Sequence, residues 1–220
     1  MKKKILLIAV ALVLAAGAGC AKEPIKYSGF LGNYPKFHKG PEGGAALVYV
    51  KKGADFSKYN KLMFDQVVFY LDPESKYKDI QPEQMKQLAD EFARTTEKVM
   101  KGDYPIVSEP GPDVLRVRVA ITDIEPGKPA KSAMTTVVPA GIVVGVIQKG
   151  VTGHYPGVGS AGMEAEFLDS MTNERLAAAI DKRAGSKFAG FTKYGATKEA
   201  FEFWAKRLKV FLDKAHGRAE

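Results

Sequence analysis

Hydrophobic and polar positions change period several times along the chain, and each change predicts an element. Lys61 to Leu71 holds the β-branched and aromatic residues Val67, Val68, Phe69 and Tyr70 and stops at Asp72-Pro73, which predicts a strand. Both of its faces are apolar, so a central place in a sheet is expected. Pro82 opens a helix with Glu83 in its first turn. Met85, Leu88, Phe92, Val99 and Met100 lie on one stripe at helical spacing, and Gly102 ends it. After the turn Pro110-Gly111-Pro112, Asp113 to Ile124 alternates cleanly: Leu115, Val117, Val119 and Ile121 face one way, Arg116, Arg118, Ala120 and Thr122 the other. Glu125-Pro126-Gly127 stops that strand. Met163 to Leu168 predicts another strand, Asp169 to Glu174 a turn, and Arg175 to Arg183 its hairpin partner. Thr197 is placed to cap a last helix whose apolar stripe is Phe201, Trp204, Leu208, Phe211, Leu212 and Ala215, with Gly217 at its end.

The order is strand, helix, strand, strand, strand, helix. It predicts an α/β (α+β) fold: a single mixed, mostly antiparallel sheet of about four strands, with two helices packed on one face. Arg116 and Arg118 are then expected on the face away from the helices, together with Glu164 and Glu166. If their strands are antiparallel neighbours, the charges oppose one another; the other reading is that the two arginines bind an anionic ligand. The segment before these elements, residues 21–58, is rich in Gly, Pro, Lys and Tyr and has little periodicity. It reads as a tether and an irregular lead-in. Tyr27, Phe30, Leu31, Tyr34 and Phe37 make it too aromatic for a free linker, and Leu47 to Lys51 suits a short strand.

The amino terminus has a different pattern. Lys2, Lys3 and Lys4 precede an unbroken apolar run from Ile5 to Ala16, followed by Gly17-Ala18-Gly19-Cys20. A basic start, a short apolar stretch and small residues before a cut site make a secretory signal. The run is shorter than the ~20 residues a membrane span needs. Residues 17–20 resemble the lipobox of bacterial lipoproteins, departing from it at Gly17, where leucine is preferred. That resemblance implies cleavage before Cys20, a diacylglyceryl group on its sulfur and an acyl chain on its new amine, with no other cofactor. Ala21, in place of aspartate, implies the periplasmic face of the outer membrane of a Gram-negative bacterium. The expected divisions are a signal at 1–19, the acylated Cys20 with tether and lead-in at 20–58, and one globular domain at 59–216.

Composition changes this picture little. Cys20 is the only cysteine in 220 residues, so an acylated mature chain has no disulfide to form and rests on its core. The formal charge is +8, three of which belong to Lys2, Lys3 and Lys4, leaving +5 after cleavage. Such a charge reads first as an ordinary solvated, mixed surface; the other reading is attraction to anionic lipid or other envelope polyanions, and nucleic acid is not expected as a partner.

The motifs that could carry chemistry are weak. Gly157-Val-Gly-Ser-Ala-Gly162 fits the dinucleotide pattern G-x-G-x-x-G, but it precedes a strand where that chemistry needs a helix amino terminus. His38, His154 and His216 are far apart and lack partners at metal-ligand spacing. Asp169, Asp181, Glu164 and Glu166 gather on the hairpin, and paired carboxylates can cleave glycans; the plainer reading has Asp169 bonding turn amides. The run from Val137 to Ile147 is nearly all apolar, yet Pro139, Gly141 and Gly145 disfavour a long helix. It is either buried or an exposed patch, and in the second case Val137, Val138, Ile142, Val143, Val144, Val146 and Ile147 would contact a protein partner or lipid.

Several segments together are familiar: the Cys20 signal, Tyr27-Ser-Gly-Phe-Leu31, Pro110-Gly-Pro-Asp-Val-Leu-Arg-Val-Arg118 with Ala120-Ile-Thr-Asp123, Ala165-Glu-Phe-Leu-Asp-Ser170, Leu176-Ala-Ala-Ala-Ile-Asp181, and the closing Ala200 to Leu212 with Trp204-Ala205. As a set they resemble a family of proteobacterial lipoproteins known only as domain of unknown function 3313. Thr172-Asn173 stands where that family usually has Thr-Gly; asparagine also tolerates positive φ. The family brings no catalytic residues. The expectation is a noncatalytic, lipid-anchored envelope module with a membrane anchor and an envelope protein partner. A carrier of a lipophilic ligand and a hydrolase of envelope glycans are the alternatives.

Overall fold

The computed structural model describes residues 25–71, 73, 80–128 and 157–218. The signal segment, Cys20 and the whole of 137–147 lie outside the described residues, as does His154. Among the described residues seven strands form one sheet: β1 (His38–Lys39), β2 (Leu47–Val50), β3 (Lys61–Phe64), β4 (Val68–Phe69), β5 (Val114–Glu125), β6 (Ser160–Asp169) and β7 (Arg175–Ala184). Helix α1 (Pro82–Met100) joins β4 to β5, and α2 (Gly195–Ala215) ends the chain after a short 3-10 turn at Ala189–Phe191. No described helix is long and apolar enough to cross a membrane.

The sheet runs β1-β2-β7-β6-β5-β3, with β4 also on β5. β5, β6 and β7 form an antiparallel meander, and β3 and β4 lie parallel to β5 across the α1 crossover. The class matches the pattern of the sequence, but the sheet has seven strands where about four were expected. The lead-in accounts for two of the additional ones: Leu47 to Val50 pairs with Ile180 to Ala177, and His38 pairs with Val48. The strand expected at Leu47 to Lys51 is present as β2, while the two residues of β1 are too few to display the alternation that reveals β5.

Lys61 to Leu71 is not one central strand. It divides into β3 and β4 around Asp65, and lies at the side of the sheet, where Leu62 donates its N–H to Pro105 O (3.0 Å) and accepts from Val107 N (2.8 Å). Its apolar character reflects cover rather than centrality: Leu62 is buried, and Phe64, Val67 and Phe69 pack against the core.

Both helices lie on the face built by Leu115, Val117, Val119 and Ile121 of β5 and Met163, Ala165, Ala177 and Ala179 of the hairpin. Leu88, Phe92, Thr96 and Met100 are the buried positions of α1, one every four residues. Phe92 meets Phe201 of α2 edge to face, ring centres 5.3 Å apart. The lone Trp204 donates its indole N–H to Asp181 Oδ2 at 2.8 Å, joining α2 to β7. Thr197 does not cap α2. The helix begins two residues earlier at Gly195, where a Cβ would stand 2.1 Å from Ala189 O, and the Thr197 side chain is buried in the first turn.

The β6–β7 turn was legible. Asn173 has φ 59°. Asp169 Oδ1 accepts from the amides of Met171 (3.1 Å) and Thr172 (3.0 Å), and its Oδ2 accepts from the Tyr59 hydroxyl (2.7 Å) and from Lys58 (3.3 Å). The Tyr59 hydrogen bond is the largest cause that holds the Asp169 carboxyl far below its usual range, helped by Thr172 and Lys58 against the opposing effect of burial.

Phe201→Ala is expected to lower stability by about 3–5 kcal/mol in urea titrations followed by circular dichroism; a loss under about 1 kcal/mol would show that the α1–α2 contact does not bear on the core. Asp169 binds its proton less readily folded than unfolded, so its stabilisation is present above the unfolded aspartate range near ~3.9 and is lost as pH falls below it. Asp169→Asn should therefore be less stable than the parent at neutral pH, with the difference shrinking in acid; a pH-independent difference would contradict this linkage.

Candidate functional site

The sheet face away from the helices is polar, and the lead-in crosses it as a strap. Arg118 stands opposite Glu166 and Ala120 opposite Glu164 in the β5–β6 register, which puts all four on that face. The opposed charges anticipated from the sequence are realised for Arg118 and Glu166, which form an ion pair. Arg116 and Glu164 do not pair: Arg116 is opposite Leu168 and turns to Asp65, which it grips with Nε and Nη2, both at 2.8 Å.

The result is a line of alternating charge across three strands. Arg175 of β7 donates Nε–H to Glu166 Oε2 at 2.7 Å. Glu166 also takes Arg118 Nη1, and Arg118 Nε lies 3.4 Å from Asp65 Oδ2. Arg116 closes the line, reaching Asn173 Oδ1 of the turn at 2.7 Å. These side chains with Leu168 line an open cleft of about 440 Å³. Asp65 keeps the Arg116 guanidinium even more firmly protonated than usual.

Glu164 and Glu166 are 1% and 2% exposed. A buried carboxylate costs several kcal/mol unless donors surround it. For Glu166 the donors are the two arginines. For Glu164 they come from the strap: Ser28 N reaches Oε1 at 2.6 Å and the Tyr34 hydroxyl reaches Oε2 at 2.7 Å. Tyr34 Oη itself accepts from Gly29 N at 2.6 Å, which folds residues 28–34 into a compact loop. Burial first, and then the bond to Glu164, raises the Tyr34 hydroxyl above its ordinary pKa. Arg175 extends its remaining nitrogens to the carbonyls of Leu31 and Asn33. Tyr27 stacks on Tyr34 with ring centres 4.3 Å apart, and the Phe30 ring lies 5.2 Å from the Arg118 guanidinium.

The four carboxylates grouped by sequence do not converge. Asp181 opens to the helix face, where it accepts from Trp204 and, at 3.0 Å, from Ala46 N. Asp169 serves its turn, and Glu164 and Glu166 serve the strap and the arginines. Asp65, Arg175, Tyr34 and Ser28 escaped the sequence reading. Asp65, a charge breaking an apolar run, and Arg175, directly after the turn, were the available signals.

His38 Nδ1 on β1 bonds Val48 O of β2, and His216 Nδ1 bonds Leu212 O at the end of α2. Among the described residues no three His, Cys, Asp or Glu side chains are grouped to hold a metal ion. The glycines of 157–162 serve packing: a Cβ on Gly159 (φ +86°) would lie 2.4 Å from Glu125 O, and one on Gly162 would lie 3.0 Å from Thr122 Oγ1. The segment opens strand β6, with no helix amino terminus for a pyrophosphate. Cys20 and Val137, Val138, Ile142, Val143, Val144, Val146 and Ile147 are outside the described residues.

The chain is 29% identical over 181 residues to the uncharacterized lipoprotein YdcL of Escherichia coli K12, covering 78% of each, and equally to that of strain O157:H7. Among solved structures, a PelC dodecamer from Paraburkholderia phytofirmans aligns at TM-score 0.41 and 11% identity, over 73% of this chain and 96% of that one. Protein XCC0632 from Xanthomonas campestris aligns at TM-score 0.36 and 11% identity, over 73% and 90%. Residues 26–208 match the family described as protein of unknown function (DUF3313), and the chain belongs to that family.

Proposed function

We propose that this chain is a lipid-anchored cell-envelope protein, acylated at Cys20 on the periplasmic face of the outer membrane and acting as a noncatalytic binding or structural module. The observation that carries this reading is the strap. The first residues after the tether are fastened to the middle of the sheet, as suits a protein held through its amino terminus. The Escherichia coli relatives are called lipoproteins, which agrees.

The treatment of the carboxylates supports a noncatalytic role. Glycan cleavage needs one carboxyl that keeps its proton near neutrality beside a second, free one. Here Asp169 is shifted the opposite way, and Glu164, Glu166 and Asp181 each accept two or more donors that hold the fold together. The polar face is built as a rigid contact surface.

Cys20→Ala is expected to abolish incorporation of labelled fatty acid and leave the precursor at full length; continued labelling would sink the anchor. Ala21→Asp should move the protein to the inner membrane, and unchanged outer-membrane fractionation would overturn that address. Glu166→Gln should cost about 2–3 kcal/mol in urea unfolding, below the usual 3–5 for a broken buried pair because Arg118 and Arg175 keep some contact with water. A neutral effect would show that the charge line does not hold the face.

A further inference from the structure

The strap fixes which side of the domain can meet the membrane. Ser28 is eight residues after Cys20, so its tether spans at most about 26–29 Å. A domain of about 200 residues has a radius of gyration near 16 Å and is about 40 Å across. Ser28 is bonded to Glu164 on β6, which has β7, β2 and β1 on one side and β5 and β3 on the other. The tether therefore leaves from the interior of the polar face, not from a rim. It is too short to pass around the sheet and let the helices face the lipid.

The exposed residues of that face suit a lipid headgroup region. Tyr27 and Tyr70 are 46% and 48% exposed, and Ile25 and Val68 are exposed beside them. Val68 is in register with Ala120, hence on the strap side, and the Phe30 ring meets Tyr70 at 6.0 Å. Lys26 and Lys36 are exposed on the same segment. Amphipathic rings and lysines together favour the boundary between phospholipid headgroups and water. The three arginines of the face are balanced by Asp65, Glu164 and Glu166, so the lysines of the strap, and not the cleft, supply the positive charge toward that boundary.

We infer that the strap-covered sheet face lies against the phospholipid leaflet, with α1 and α2 turned away from it toward the aqueous space. The inference rests on acylation at Cys20. The tether sets the distance, and Tyr27, Tyr70, Lys26 and Lys36 make the contact. Any protein partner then meets the helical side or the sheet edges.

The test uses the full lipidated protein in vesicles of phosphatidylethanolamine and phosphatidylglycerol. Acylated Cys20 takes no thiol dye, so Asn33→Cys and Val68→Cys on the strap side, and Lys206→Cys, each carry a single fluorophore. Lys206 is on the outer side of α2, and all three sites are exposed, so the fold is retained and can be checked by circular dichroism. With a headgroup-attached quencher, quenching at positions 33 and 68 should exceed that at 206 several-fold. Equal quenching, or more at 206, in protein that floats with the vesicles overturns the orientation and leaves the anchor standing. Protein that fails to float overturns the anchor, and the orientation with it.

Discussion

Two carboxylates on the central strand, Glu164 and Glu166, are almost fully withdrawn from water, and the polar side of the molecule is organised around their need for donors. Arg118 and Arg175 meet Glu166, and the strap meets Glu164. Each of these partners recruits another: Arg118 approaches Asp65, Arg116 holds Asp65 and the Asn173 turn, and Arg175 holds the strap carbonyls. A sheet with one oily face would ordinarily leave the other to solvent. Here the second face is closed by its own lead-in, through ionic and hydrogen-bonded contacts joined by the buried Leu31 and the rings of Tyr27, Phe30 and Tyr34.

The oily face follows a simpler rule. Long strands with strict alternation present Leu115, Val117, Val119 and Ile121 to two helices whose stripes fit over them. Alanines at 177 and 179 let α2 approach β7 closely, and a Cβ on Gly185 would come within 2.7 Å of Ala196 Cβ. The two faces thus obey different physics, area burial on one and charge satisfaction on the other.

That difference decided what the sequence disclosed. Period reveals the helices, β5, the hairpin and the Asp169 turn, because each is long or carries residues with local meaning. It hides β1 and the division of β3 from β4, which exist only through pairing with distant residues; β2 showed only as the short apolar run from Leu47, with no sign of its partner. The opposition of Arg118 and Glu166 was legible from alternation alone. The partners of Glu164 were not, since Ser28 and Tyr34 are more than a hundred residues away and nothing local in Tyr27 to Phe37 announces their target. Asp65 was hidden for the related reason that a charge inside an apolar run reads as a flaw in a strand until its arginine is found.

Trp204 is the one tryptophan of the chain, 5% exposed, with its indole N–H on the Asp181 carboxylate and its ring between α2 and the sheet. Asp181 also accepts from Ala46, directly before β2. The indole therefore lies where the last helix, the last strand of the meander and the lead-in strands meet. Its emission is an intrinsic optical reporter of whether those three parts are assembled, and it needs no added dye.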